Sequence, residues 1–258
     1  MTYVYGADPK TAKRVRAILP KLIEGADQAL TVQSLASSEV STTIFAVLAG
    51  WWRFTNRTAE GLIALYDAGF TVEAAPMMRN LINHAFAINW LADTGEDGYK
   101  ALIHESHESR RKLYNNLQAL DWPLPDTVDI GETPDFGHTT QEEERRHKQL
   151  RGELSNFENM LKAYGTPMMY PVYRNLSAYS HTTEHTAAAF ASFDEEQRVT
   201  VHSNGQSDRL TDLCWMPIPL VQAASVMSPL LRGNPMKKLI SEACHDLGLP
   251  ADLVAKRP

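Results

Sequence analysis

The stretch SLASSEVSTTIFAVLAGWWRFTNRTAEGLIALYDAG, residues 34–69, decides the fold class. Ile44, Val47, Leu48, Trp51, Trp52, Leu62, Ile63, Leu65 and Tyr66 fall three and four positions apart, the spacing that lays one face of an α-helix on a core. A half-buried strand would instead alternate with period two. The pattern predicts one long helix, or two in line, over Ser34–Asp67, with Ala68-Gly69 closing it as a C-cap. Gly50-Trp51-Trp52 and Phe54 continue the same face, so they read as core or dimer interface rather than as an aromatic ligand cage.

Reading outward, Thr71-Val72-Glu73 opens a second helix over Glu73–Leu91. Pro76 sits in its first turn, where a missing amide costs nothing. Met77, Leu81, His84/Ala85, Ile88 and Leu91 form its core side. A polar third helix follows over Tyr99–Leu120. Periodicity is lost over Trp122–Gln141, where Pro123, Pro125, Gly131, Pro134 and Gly137 make a long loop suited to a lid or a partner surface. Gln141–Tyr164 reads as a charged helix with a largely solvated face, Glu142–Glu144 running into Arg145-Arg146.

Pro167–Ser192 reads as a further helix. Arg198–His202 alternates, and Ser203-Asn204-Gly205 is a turn signal, so a small β-hairpin is expected near residues 198–209. Leu210–Leu231, bent at Pro217 and Pro219, and Pro235–Leu247 are the last helices, while Asp8-Pro9 starts the first over Lys10–Leu19. No fixed-period repeat is present. The sum is an all-α, up-and-down helical bundle with one small hairpin. It is expected to form a single helical domain over 1–258, with the C-terminal helices, residues 210–258, packed on the bundle.

Composition narrows the functional classes. A chain of 258 residues with 43% hydrophobic and 22% charged residues can bury a substantial core. A formal charge of −6 argues against a broad nucleic-acid-binding surface and gives no DNA signal, though it leaves room for a local basic patch. Cys214 and Cys244 are too far apart to form a zinc knuckle and give no disulfide framework, which suits a reducing compartment. Met1–Lys10 has no apolar signal-peptide core, and the longest apolar run, Thr42–Trp52, is too short to span a bilayer. The expectation is therefore a cytoplasmic protein without membrane partners. No P-loop, dinucleotide fingerprint or nucleophile elbow is found, and no cofactor is expected.

The segment richest in reactive side chains is Tyr170-Pro-Val-Tyr-Arg-Asn-Leu-Ser-Ala-Tyr-Ser-His-Thr-Thr-Glu-His185. If it is helical throughout, seven positions return to within about 20° of the start, so Arg174 and His181 share a stripe with His185 one turn beyond. A guanidinium that forks onto phosphate, beside an imidazole that titrates near neutrality, suits phosphodiester chemistry without metal. His181 would take a proton from a ribose 2′-hydroxyl, Arg174 would stabilise the phosphorane, and Asn175 would orient a phosphate oxygen. Tyr170, Tyr173, Ser177 and His185 would support them.

Arg174-Asn175, five residues, then His181 resembles the Arg-(polar)-x4–6-His signature of the HEPN superfamily. That resemblance implies a helical, usually dimeric fold, and metal-independent ribonuclease activity of the kind found in toxin–antitoxin and phage-defence systems. RNA, a second copy and an antitoxin or defence partner are the partners it implies. The wider pattern is an Arg-bearing helix in the first half and Tyr173-Arg-x-Leu-Ser-x3-His181 in the second. It is similar to a bacterial family known only as domain of unknown function 5677, over about Ser34–Leu231. That family pattern carries an acidic residue four positions after the first-half arginine, where this chain has Asn83.

Other readings of the same residues stand beside this one. A Tyr/Arg/Ser/His cluster on one helix also serves as a buried hydrogen-bond network, in which case the chain is a non-catalytic ligand- or partner-binding bundle. Arg79-Asn-Leu-Ile-Asn-His84 repeats the Arg-Asn…His string, but five positions turn Arg79 and His84 onto different faces. Arg79 there pairs with Asn83 and Asn80 with His84, and Arg79 is expected to reach a carboxylate on a neighbouring helix or to share a pocket with Arg174. Finally, His181-x-x-Glu184-His185 has inverted zinc-protease spacing, to which His104 and Glu105 would add ligands. The His104–Lys112 string reads equally as an exposed charged face.

Overall fold

The computed structural model describes residues 6–31, 40–123, 130–205 and 210–257. It is an all-α bundle carrying one two-stranded antiparallel hairpin. The first helix, α1, spans Pro9–Thr31 and continues straight through Pro20, well past the predicted Leu19. Asp8 starts it, its carboxylate accepting from the amides of Lys10 and Thr11 at 2.8 and 2.9 Å. Helix α2 runs over Thr42–Asp67; residues 34–39 of the predicted helix lie outside the described segments. It ends as its sequence implies, with Gly69 at φ +84° and the Phe70 amide donating back to the Leu65 carbonyl at 2.9 Å.

The two predicted helices after it are one element, α3, over Ala75–Ala119, kinked at Gly95. That residue has φ 55° and ψ −131°, a conformation open to glycine and costly for other residues. The expected core side of the first half is largely right. Leu81, Ala85, Ile88 and Leu91 are fully buried, but Met78 takes the place of Met77, which is half-buried.

The predicted charged helix over 141–164 is two helices, α4 (Gln141–Ser155) and α5 (Phe157–Ala163). Asn156 separates them because its extended backbone ends the first, while its side chain caps the second. Helix α6 covers only Tyr170–Ala178, α7 covers Glu184–Ala188, and no single helix runs from 167 to 192. The hairpin pairs β1 (Ala191–Phe193) with β2 (Val199–Val201), Ser192 opposite Thr200. It therefore turns at Asp194–Arg198, and the alternating Arg198–His202 segment forms its second arm. The expected turn at Ser203–Gly205 lies beyond the hairpin, and residues 206–209 are outside the described segments. Asp194 builds the real turn by accepting from the amides of Glu196 and Arg198 and from the Arg198 side chain.

At the C-terminal end, α8 (Leu210–Trp215) and α9 (Pro217–Met227) break just before Pro217, while Pro219 lies in the first turn of α9, and α10 spans Lys237–Leu247. The segment Thr211–Leu230 is long and apolar enough to cross a membrane, but it is mostly buried against α1, α2 and α3, as a core element is. One hydrophobic cluster runs from Val15 and Leu19 through Trp52, Leu81 and Trp90 to Leu161, Leu176, Met227 and Leu247. Trp52 of the Gly-Trp-Trp string is in this core, Trp51 is half-buried and Phe54 is exposed.

Candidate functional site

Helix α6 is amphipathic over two turns. Tyr173 and Leu176, three apart, face the core, whereas Arg174 and Asn175 between them face solvent. The Tyr173 ring lies 4.3 Å from Phe157, centroid to centroid, and Phe157 meets Phe86 of α3 edge-on at 5.5 Å. Arg79 reaches across from α3. Its Nε donates to Ser177 Oγ at 2.8 Å, and its guanidinium carbon sits 4.6 Å from the Tyr173 ring centroid. Ser177 Oγ in turn donates to the Tyr173 carbonyl at 2.7 Å, so that hydroxyl both gives and receives. Burial pushes the Tyr173 phenol above its usual range, and the Arg79 charge offsets part of that shift.

Among the described residues Arg79 thus meets no carboxylate, contrary to the sequence expectation. It clamps α6 onto α3 through a hydroxyl and an aromatic face. His84 belongs to another seam: its Nδ1 is 2.8 Å from the Asn80 carbonyl, and its ring is 4.4 Å from Phe54 of α2.

The single stripe Arg174–His181–His185 does not form, because the helix stops at Ala178. The amides of Tyr179 and Ser180 fold back to Leu176 and Ser177 in tight i→i−3 bonds. Thr183 then starts α7 with a capping box shared with Thr186, and its Oγ1 donates to the Ala178 carbonyl at 2.8 Å. One threonine therefore satisfies the acceptor left open at the end of α6 and caps the next helix. The signal was present in Ser180-His-Thr-Thr-Glu184, a run of capping residues before an acidic one.

Arg174, Asn175, His181, Glu184 and His185 are all exposed. The side chains of Arg174, Asn175 and His181 make no hydrogen bond among the described residues. Arg174 does act on Glu158, whose carboxyl is held below its usual range by a hydrogen bond from Lys162, aided by Tyr170 and the Arg174 charge. His185 lies against Tyr179, with ring centroids 6.3 Å apart.

Among the described residues, no group of three or more His, Cys, Asp or Glu side chains could hold a metal ion. His181 precedes α7, so it shares no helical face with Glu184 and His185. His104 and Glu105 are engaged by α4: His104 Nδ1 is 2.9 Å from His147 Nε2, and Glu105 accepts from Arg151 at 2.6 Å. Nor is the His104 string simply an exposed charged face, since His107 is buried and His104 half-buried.

The described end of the long loop also packs there, Phe136 stacking on His104 at 5.2 Å and His138 lying 4.6 Å from His147. Burial, followed by the charges of His138, His104 and Arg151, depresses His147 to about 4. Sequence reading missed this histidine cluster because His138 lies within the loop and His147 beyond it, far along the chain from His104.

The model of a family described as "Family of unknown function (DUF5677)" matches residues 45–198, more than half of the chain, and the chain belongs to that family. The match takes in Arg79, α6 and His181 and stops before α8. Neither the curated proteins nor the solved structures contain a significant match.

Proposed function

We propose that this member of the family is a metal-independent endoribonuclease, with Arg174, Asn175 and His181 as its phosphodiester-handling residues. The observation that supports the reading is a division of labour along one segment. Tyr173, Leu176 and Ser177 are consumed in fixing α6 to Arg79 and the core, while Arg174, Asn175 and His181 stay exposed and make no side-chain hydrogen bond among the described residues.

In this mechanism Arg174 forks onto the non-bridging phosphate oxygens and Asn175 donates to one of them. His181 accepts the 2′-hydroxyl proton as the 2′-oxygen attacks phosphorus. The 5′-oxygen leaves and takes a proton from solvent, giving a 2′,3′-cyclic phosphate and a 5′-hydroxyl. A second copy of the chain, and an antitoxin or defence partner in a bacterial setting, belong to the same proposal.

The Arg79–Tyr173–Ser177 clamp favours one competing reading, a non-catalytic ligand- or partner-binding bundle in which the motif is structural. Incubating the pure protein with mixed-sequence RNA in excess EDTA separates the two. The nuclease predicts cleavage to cyclic-phosphate ends by the wild type, and loss of about a hundredfold or more in rate for His181→Ala. Intact RNA with the wild type, or equal cleavage by the variant, would falsify it.

A further inference from the structure

We infer that the free end of α3 is a surface on which a second copy of this chain docks, the two helix ends lying antiparallel. His107 is the last buried residue of α3, and the helix runs about 18 Å past it to Ala119. Leu113, Leu117 and Leu120 fall at i, i+4 and i+7 along this end, one stripe about 60° wide. Leu113 and Leu120 are 59% and 74% exposed, and Leu117 is half-buried.

The turn after the helix belongs to the same patch. Asp121 takes φ 50°, a conformation uncommon outside glycine, and the Trp122 amide donates back to the Leu117 carbonyl at 3.0 Å. That brings Trp122, 61% exposed, back to the end of the stripe. A helix end and its cap are thus built around apolar side chains that the described chain leaves in water.

The charges beside the stripe select the occupant. Arg111 is paired with Glu108, and Arg110 donates to the Ser106 carbonyl. Lys112, one position before the stripe, and the Asp121 carboxylate, one position after it, have no hydrogen bond or ion pair among the described residues. Two ends laid parallel would set Lys112 against Lys112 and Asp121 against Asp121. Laid antiparallel about the middle of the stripe, Leu113 meets Leu120 of the second copy, and Lys112 comes level with Asp121 of the second copy, at both ends of the pair. An anionic lipid surface would attract Lys112 and repel Asp121. The patch is well short of the roughly 20–30 residues a side of a standard interface, so the dimer is a weak one, in the micromolar range. This surface gives a place to the second copy named with the nuclease reading, but it does not need the chain to cleave RNA.

Sedimentation equilibrium of the full chain from about 1 to 200 μM tests the inference. A reversible monomer–dimer equilibrium is expected for the wild type. Leu120→Glu should weaken it about a hundredfold, because a twofold interface meets each substitution twice. Leu113→Glu serves if Leu120→Glu does not fold. Lys112→Asp and Asp121→Lys should each self-associate about tenfold more weakly than the wild type, and an equimolar mixture of the two should recover most of that loss, since it sets opposite charges together at both ends. A wild type that stays monomeric, a dimer unchanged by folded Leu120→Glu or Leu113→Glu, or a mixture no tighter than either variant alone would overturn the proposal. So would monomers that sediment with phosphatidylglycerol vesicles and lose that binding in Leu120→Glu, because a bilayer would then be the occupant. A monomeric wild type that cleaves RNA overturns the interface alone, and a dimer that leaves RNA intact overturns the nuclease alone.

Discussion

Arg79 and Arg174 carry the same side chain into opposite surroundings, and this separates what each can do. Arg79 is half-buried, with its Nε given to Ser177 and its guanidinium over Tyr173; Arg174 stands in water. Arg79→Ala should lower unfolding free energy by about 1–3 kcal/mol, because it removes a part-buried hydrogen bond and a cation–π contact together. Arg174→Ala should change it by no more than about 0.5 kcal/mol. Urea titrations read both, and equal losses would mean that the division between clamp and exposed residue is wrong. Sequence read Arg79 as reaching to a neighbouring helix and placed its string below that of Arg174, but it named the wrong partner. Helical spacing gives the direction in which Arg79 leaves α3, not what waits there, and Ser177 is 98 positions away in the chain.

Elements were legible as types and less so as lengths, and the errors lie where a side chain competes with the backbone. The reading of Tyr170–His185 as one helix failed because Thr183 takes the Ala178 carbonyl and caps α7. Without that threonine, an open acceptor and an uncapped helix remain. Thr183→Ala should therefore cost about 1 kcal/mol in thermal or urea unfolding, while Thr183→Ser keeps most of it. The error at Gly95 is of the reverse kind. The sequence reading ended one helix at Leu91 and began the next at Tyr99, yet the chain turns through φ 55° at Gly95 and continues as α3. Alanine is the better helix former at an ordinary position, so intrinsic propensity predicts that Gly95→Ala stabilises. The positive φ predicts a loss of about 1 kcal/mol or more, and the sign of the measured change decides between them.

At the scale of the whole molecule, two polar clusters join segments that no local pattern connects, and each gives stability a signature in pH. In the histidine cluster, His147 titrates at about 4 in the fold against 6.5 in an unfolded chain. Between those values the unfolded state binds the extra proton, so stability should fall as pH drops from about 6.5 toward 4. His104, also lowered by burial, adds in the same direction. His147→Gln should flatten that slope in urea midpoints.

The second cluster fixes the tail. Glu153 is buried on α4, accepts from Trp90 Nε1 at 3.0 Å and meets Arg257 in a fork at 2.6 and 3.0 Å. Arg257 also donates to Asp93 and stacks on Tyr164. Burial alone would raise the Glu153 carboxyl, but hydrogen bonds from Arg257, Gln149 and Trp90 outweigh it and hold the group below its usual range. Its contribution is therefore present above about pH 4.5 and lost as pH falls through the lowered folded value. Arg257→Ala leaves a buried carboxylate without its cation, which should cost about 3–5 kcal/mol near neutrality. Losing the cation raises the Glu153 carboxyl from its wild-type position, so the gap between variant and wild type should narrow as pH falls toward 4. Adding Glu153→Gln removes the stranded charge and should restore much of the loss at pH 7. A gap that stays constant with pH, or a double variant no more stable than Arg257→Ala, would place the tail's hold in its apolar contacts instead of this ion pair.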